Sequence, residues 1–487
     1  MNLEFQLKET WPKLAWVAVL EPEQEQEQER LVVQHGPLVE VRQDWTVEGV
    51  WDGDFESGDF DQTDAIFGTG IRRRGNDVVF VGSSTGIDRL WYVQKASKIF
   101  VSNTLPGLLE LSGLALRHDY AFYTEDLVTV QKIGVFNHIN TIPTDSEPLQ
   151  IVYFKNLLYR EGRIEKIEKP EIAPHFSDFA AYEDYLKTLA LKLGTNARDP
   201  GRSFPIEMLV GLSSGYDSIA TAIVSRYAGC TKAASIINPS SFWRGSDSGK
   251  HIADHLGMTC QLHRHVKKNY RHEIALWAGA GIPGSRNFSL FDYPKPLCLF
   301  FSGGYGDVMW DLKIKRKIEP RGGINELLCE FRLIEGVFVS VVPWWGIRRS
   351  EDVRRITSSE EMLPWMIGND YDRPIARRII EEAGILRGAF ATRKKNTSST
   401  RPLRWPSGAE ARNSFARHLI LKGMPVPGPF KIKMYALLSM LSNLTYQNIG
   451  KPLKVKKWWK PWLSFPGRTQ LFVWANHELR DRYYRGK

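Results

Sequence analysis

The residues best suited to chemistry lie where apolar runs break into Ser, Gly and Asp. The densest such place is VGLSSGYDSIATA, residues 210–222. An apolar run ends in Ser213, Ser214, Gly215, Tyr216, Asp217 and Ser218, and a helical pattern begins at once. Small residues let backbone N–H groups approach an anion closely, and a helix N-terminus adds positive partial charge. The hydroxyls of Ser213, Ser214 and Ser218 can each donate to phosphate oxygens. The lysine and glycine spacing of a Walker loop is absent. The plainer alternative is a serine-capped helix following a strand, since Ser and Asp are favoured caps.

A second segment, LFFSGGYGDVMWD (299–311), again follows an apolar run with small residues and an acid, here Gly303, Gly304, Tyr305 and Asp307. By itself it reads as a glycine turn whose Asp caps a helix; beside the first loop it reads as a second site loop. A third, YDRPIARRIIEEAGILRGAFATRKKNTSS (371–399), carries Arg393, Lys394 and Lys395. A cation there could neutralise charge on a departing pyrophosphate, or the group could be a solvated surface.

Together these segments carry a family resemblance. The first resembles the pyrophosphate loop S-G-G-x-D-S of the ATP pyrophosphatase superfamily, with Ser214 where the first glycine usually sits. The second resembles the S-G-E-G-A-D-E loop of asparagine synthetases and the T-G-Y-G-A-D loop of β-lactam synthetases. The third resembles the R-x-K stretch of those families, matched by Arg393 and Lys395. Residues 81–113 and 134–151 are similar to parts of the asparagine synthetase glutaminase domain. The chain thus resembles a divergent member of the asparagine synthetase superfamily, which also includes lasso-peptide cyclases.

The resemblance implies an N-terminal nucleophile-hydrolase-like domain, mainly β, over 1–160 and an ATP-binding synthetase domain over 175–430. Residues 431–487 would be a basic aromatic tail. The implied activity is ATP-dependent, AMP-forming amide synthesis from a small-molecule or peptide carboxylate and an amine or ammonia. Ser213 to Ser218, Asn238, Gly303 and Gly304 would contact ATP or pyrophosphate, Asp217 and Asp307 would hold Mg²⁺, and Lys395 would be catalytic. Tyr305 either orients the attacking nitrogen or is a packed aromatic.

The sequence also departs from that pattern. Glutamine hydrolysis needs a cysteine as the mature N-terminal residue; position 2 is Asn2 and the first cysteine is Cys230, so glutaminase activity is not expected. Gly304 replaces an acid of the synthetase loop. A glutamate expected four residues before Pro343 is Val339, with Glu330 or Glu335 as substitutes between which the sequence does not decide. Two alternatives therefore stand beside the ligase: a cyclase of the lasso-peptide or β-lactam type, and a non-catalytic nucleotide-binding scaffold.

The elements that must position these groups show in the hydrophobic pattern. Up to about residue 155, short alternating or apolar runs such as 14–20, 76–82, 89–94, 97–103 and 149–154 predict strands, with a helix near 106–116. The segment 21–30 is low-complexity and charged and predicts a solvated loop or frayed helix. From about 175 helices and strands alternate: helices at 179–197, 217–229, 245–257 and near 270–279, strands at 206–212, 232–238, 260–266 and 297–303. Helix-length crossovers force parallel pairing, so a doubly wound α/β sheet is expected, with ligands beyond its carboxyl ends. Helices are also expected at 374–386 and 413–423.

Composition fits this division. The chain has 487 residues, 65 Lys+Arg and 55 Asp+Glu, a net charge of +10. Residues 1–150 hold 12 basic and 24 acidic side chains, whereas 151–487 hold 53 and 31, so a polyanionic ligand belongs to the later part. Residues 451–487 carry ten basic and two acidic residues with four tryptophans, read as a packed and solvated tail rather than a nucleic-acid site. The four cysteines show no zinc spacing. No secretory pattern or membrane-length apolar run is evident, so a cytoplasmic protein without a membrane span is expected, with homodimerisation open.

Overall fold

The computed structural model describes residues 1–21, 29–237, 247–264, 270–283, 286–313, 328–369, 371–390, 405–434, 437 and 468–486. Up to residue 168 the chain runs mainly as strands: β1 (Asn2–Leu7), β2 (Trp16–Glu21), β3 (Arg30–His35), β4 (Glu40–Arg42), β5 (Trp45–Trp51), β6 (Ile66–Arg74), β7 (Asp77–Val81), β8 (Leu90–Lys95), β9 (Lys98–Ser102), β10 (Thr141–Ile142), β11 (Leu149–Val152), β12 (Lys155–Arg160) and β13 (Arg163–Glu168). They form a seven-stranded sheet, ordered β1-β3-β2-β9-β8-β11-β10, and a six-stranded sheet, ordered β13-β12-β7-β6-β5-β4. The β1–β3 pairing is parallel and the others are antiparallel.

Period-two alternation explains why the two sheets pack together. Trp16, Ala18 and Leu20 of β2 join one apolar cluster with Ile71, Val78 and Phe80 of the other sheet, while Val17 and Val19 join different clusters. Trp16 and Phe80 have ring centroids 6.4 Å apart. The helix Leu105–Ser112 contributes to the cluster holding Val19.

The later half contains a parallel sheet of β14 (Ile206–Gly211), β15 (Lys232–Ile237), β16 (Thr259–Arg264), β17 (Leu297–Ser302) and β18 (Val337–Val341). Its order is β16-β15-β14-β17-β18. The expected α/β sheet after a β-rich region is therefore present. β17 and β18 are buried along their whole length, as strands covered on both faces are, whereas edge strand β16 has only half-buried and exposed positions. Helices Tyr216–Tyr227, Lys250–His255, Glu273–Ala278 and Cys329–Glu335 lie in the connections. The chain lays down β14, β15 and β16 in one direction, then returns to the opposite side of β14 for β17 and β18. The strand order thus reverses between β14 and β17, where such sheets open a crevice.

The helix Cys329–Glu335 locks the sheet to the β-rich region. Arg332 donates to both carboxylate oxygens of Glu48, at 2.6 and 2.8 Å, and to Asp88, and all three side chains are at most 2% exposed. Glu330 accepts from Leu105 N–H at 3.0 Å and from the Thr104 hydroxyl at 2.8 Å.

Within the C-terminal tail, residues 468–486 are packed. Helix Arg468–Leu479 buries Phe472, Val473 and Trp474 and packs against helix Glu273–Ala278 and helix Ala409–Leu421. Trp474 Nε1 donates to Ser414 Oγ at 2.9 Å, and Asn476 Nδ2 to Ala278 O at 3.1 Å. Apolar side chains outweigh the basic composition here, making this stretch part of the core. Residues 451–467 and the charged segment 22–28 lie outside the described residues. No described helix is long and apolar enough to cross a membrane.

Candidate functional site

The serine-rich and glycine-rich loops meet beyond the carboxyl ends of β14 and β17. After Gly211 the strand continues for one further ladder bond, Leu212 N–H to Ala234 O at 2.8 Å. The next donor turns back locally: Ser213 N–H reaches Ser218 Oγ at 3.0 Å. Ser213 Oγ lies 2.8 Å from Ser218 Oγ and accepts Gly215 N–H at 3.2 Å. Helix Tyr216–Tyr227 starts immediately, so both half-buried hydroxyls stand at its N-terminus, where backbone donors and the dipole favour an anion.

Two residues of this loop depart from the expected roles. Ser214 is buried; its hydroxyl donates to Asp247 Oδ1 at 2.7 Å and its N–H to Asp247 O at 3.1 Å. It ties the loop to the segment entering helix Lys250–His255, so its hydroxyl is not presented to a phosphate. The Tyr216 side chain is fully buried, stacked on Tyr371 at 4.8 Å and against Phe390 at 5.4 Å. It packs in the core, leaving only its backbone at the helix start.

The second loop closes directly on the first. A Cβ added to Gly303 would lie 2.7 Å from Asp217 O and 2.8 Å from Ser218 N, so only glycine permits this approach of backbone to backbone. A Cβ on Gly306 would fall 2.2 Å from Asp217 Cγ, which places the Asp217 side chain on that glycine. Gly304 N–H donates to Ser302 Oγ at 3.2 Å. Tyr305, between the glycines, holds a left-handed φ of +66°, a conformation costing a bulky residue about 1–3 kcal/mol and found preferentially at functional sites. Its ring lies 4.7 Å from that of Trp344, just beyond β18. Asp307 stands in the first turn of Gly306–Met309.

Sequence reasoning did not find the cation of this site. Arg373, 2% exposed, pairs with Asp217 Oδ2, lies 3.9 Å from Asp311 and covers the Tyr371 ring at 4.6 Å. Burial opposes its charge, but Asp217, Tyr371, Asp307 and Asp311 outweigh burial and raise its pKa. Asp372 positions the turn by accepting Ile367 N–H at 2.8 Å and Gly368 N–H at 2.7 Å. The only local signal was Asp-Arg-Pro at the start of helix Pro374–Glu382.

Asp217 and Asp307 have the hard oxygens Mg²⁺ requires, although Asp217 shares one of them with Arg373. Among the described residues, no group of three or more His, Cys, Asp or Glu could hold a metal ion. Asn238 and Lys395, with Arg393 and Lys394, lie outside the described residues.

No protein-family model and no curated protein matches the sequence.

The substitutes for a downstream glutamate are corrected by position. Val339 is buried in mid-strand β18, paired with Phe300. Glu330 and Glu335 precede β18, at the amino end of the sheet. With about 3.3 Å per residue along a strand, the whole of β18 separates them from the loops. Burial alone would raise the Glu335 carboxyl, but His272, Lys295 and Arg271 bring it down to about 2. Burial raises Glu330 to about 6 despite its two donors. Glu330 serves the junction with the β-rich region through Thr104 and Leu105, whereas Glu335 is held by His272, Lys295 and Arg271 of the parallel-sheet half. Asn2 begins β1, and its backbone N–H donates to Glu29 O at 2.8 Å; it offers no thiol nucleophile.

Proposed function

We propose that the protein is an ATP-dependent, AMP-forming amide ligase. A carboxylate oxygen attacks the α-phosphorus of ATP and the bond to pyrophosphate breaks. An amine or ammonia nitrogen then attacks the acyl carbon, AMP leaves, and the nitrogen loses its proton to solvent or a base. The observation that carries this reading is the contact of Gly303 with the Asp217–Ser218 backbone, which joins two small-residue loops at the switch point of the parallel sheet. The order of these loops along the chain, and their resemblance to asparagine synthetase loops, support the same reading.

In it, the backbone of Gly215 to Ser218 and the hydroxyls of Ser213 and Ser218 hold pyrophosphate, with Gly303 and Gly304 beside them. Asp217 and Asp307 are the residues that would hold Mg²⁺, whose charge would offset that of the phosphates. Arg373 holds the Asp217 carboxylate in place through their ion pair. Lys395 carries its role from the resemblance alone. The test is ATP–pyrophosphate exchange across a panel of carboxylic acids, together with equilibrium ATP binding. Exchange dependent on one acid class is expected; absence of nucleotide binding at millimolar Mg·ATP would overturn the reading.

The Arg373–Asp217 pair favours a second reading, a nucleotide-binding scaffold without catalysis, because a guanidinium already neutralises a proposed metal ligand. That reading predicts ATP binding unaffected by Mg²⁺ and no exchange with any acid.

A further inference from the structure

Between Glu410 and Glu478 the chain runs for 67 residues without an acidic side chain and carries 11 Lys+Arg. The described residues at its start, 411–434 and 437, present apolar side chains to the outside. Helix Ala409–Leu421 buries Ala411, Ser414, Phe415 and Leu419, spaced by three and four, and packs on helix Arg468–Leu479. Exposed Arg412, Asn413 and Arg417 keep its outer face polar, but that face ends in Ile420, 66% exposed, and Leu421, 84% exposed. The stretch that follows adds Val426, Phe430 and Leu437, with Phe430 79% exposed.

Single exposed apolar residues are ordinary, whereas a group of them marks an interaction site. Five within residues 420–437 form such a group, and exposed Lys422, Lys431 and Lys433 stand among them. The stretch is tied to the body of the protein. Met424 packs against the main core, its N–H donates to Leu419 O at 2.8 Å, and Pro427 is buried. The backbone is helical again over 429–434, where Ile432 N–H donates to Gly428 O at 3.2 Å.

We propose that this surface docks on an anionic lipid bilayer, with Ile420, Leu421 and Phe430 entering the interface and Lys422, Lys431 and Lys433 against lipid phosphates. The apolar side chains gain by leaving water, and the lysines gain from the negative surface potential. The same charges would suit nucleic acid, but Ile420, Leu421, Val426 and Leu437 argue against it. Single strands are held by stacking on aromatic rings and by basic grooves, whereas aliphatic side chains gain by entering lipid. Docking here is peripheral, since no described helix is long and apolar enough to cross the bilayer. None of these residues belongs to the switch-point loops, so the inference stands apart from the nucleotide reading.

The experiment is flotation of the full chain with vesicles of phosphatidylcholine alone, and of phosphatidylcholine with about one third phosphatidylglycerol, at low and high salt. A lysine near an anionic surface contributes about fivefold, so three predict at least roughly tenfold stronger binding to the anionic vesicles, weakening as salt rises. Leu421→Ser with Phe430→Ser should lower that binding roughly tenfold at an unchanged thermal midpoint, because both side chains are exposed. Lys431→Glu with Lys433→Glu should remove the preference for anionic vesicles and is an independent check on the charges. No flotation with anionic vesicles, equal flotation with neutral ones, or undiminished flotation of Leu421→Ser with Phe430→Ser would each overturn the proposal. Binding of single-stranded RNA by a protein that ignores both vesicles would overturn it too.

Discussion

Arg332→Met tests how the two halves are held together. In the native protein one guanidinium serves Glu48 and Asp88, and none of the three side chains is more than 2% exposed. Burial pushes the Glu48 carboxyl up, and the Arg332 charge opposes that shift. Removing the cation leaves two buried carboxylates near each other, and breaking a buried pair costs about 3–5 kcal/mol. Protonation limits the loss: at pH 7, neutralising a glutamate or an aspartate costs about 4 kcal/mol each, from their ordinary pKa values and about 1.4 kcal/mol per unit. The penalty at pH 7 is therefore roughly 3–8 kcal/mol, a large part of the ~5–15 kcal/mol that stabilises a typical fold. At pH 5 protonation is about 2.7 kcal/mol cheaper per carboxyl, so the penalty should shrink markedly. Urea unfolding of the native and variant chains at both pH values measures this difference. Combining Arg332→Met with Glu48→Gln and Asp88→Asn should restore most of the loss. A penalty below about 1 kcal/mol, or one equal at the two pH values, would refute the argument.

Asp217→Asn and Arg373→Met should each weaken ATP binding, and the double variant should lose less than the two separate losses combined because the residues are paired; a double-mutant cycle in nucleotide affinity measures the coupling. Gly303→Ala should abolish nucleotide binding with little change in secondary structure, since its Cβ would enter the Asp217 backbone; titration with Mg·ATP and circular dichroism report the two effects. Glu335 has a folded pKa of about 2, below the ordinary glutamate value. Its stabilisation is therefore present above about pH 4.5 and lost as pH falls from there toward 2. Glu335→Gln should flatten stability against pH in that window, as followed by denaturant unfolding.

The parallel sheet was legible because strand-length runs alternate with helix-length periodic segments, and its buried strands β14 and β17 are apolar runs that end at Gly211 and Ser302. Both loops were legible for the same local reason. β18 was not, because VFVSV is too short to show a period and is buried on both faces, so no alternation distinguishes it. Ser214 could not be assigned from sequence: its partner Asp247 comes 33 residues later. Tyr216 looked like a loop residue, but Tyr371 and Phe390 make it core. Arg373 reached the site through tertiary packing, which no spacing in the chain announced.

The helix Arg468–Leu479 also bears on the order in which the protein can be completed. Phe472 and Val473 share an apolar cluster with Val19, Leu108 and Tyr123, while Trp474 joins the main core. During synthesis the ribosome makes more than 460 residues before these side chains exist, so the earlier segments must wait with that apolar surface uncovered. A nascent chain stalled short of residue 468 would therefore be a preferred client for a chaperone, and release from that chaperone would coincide with emergence of this helix.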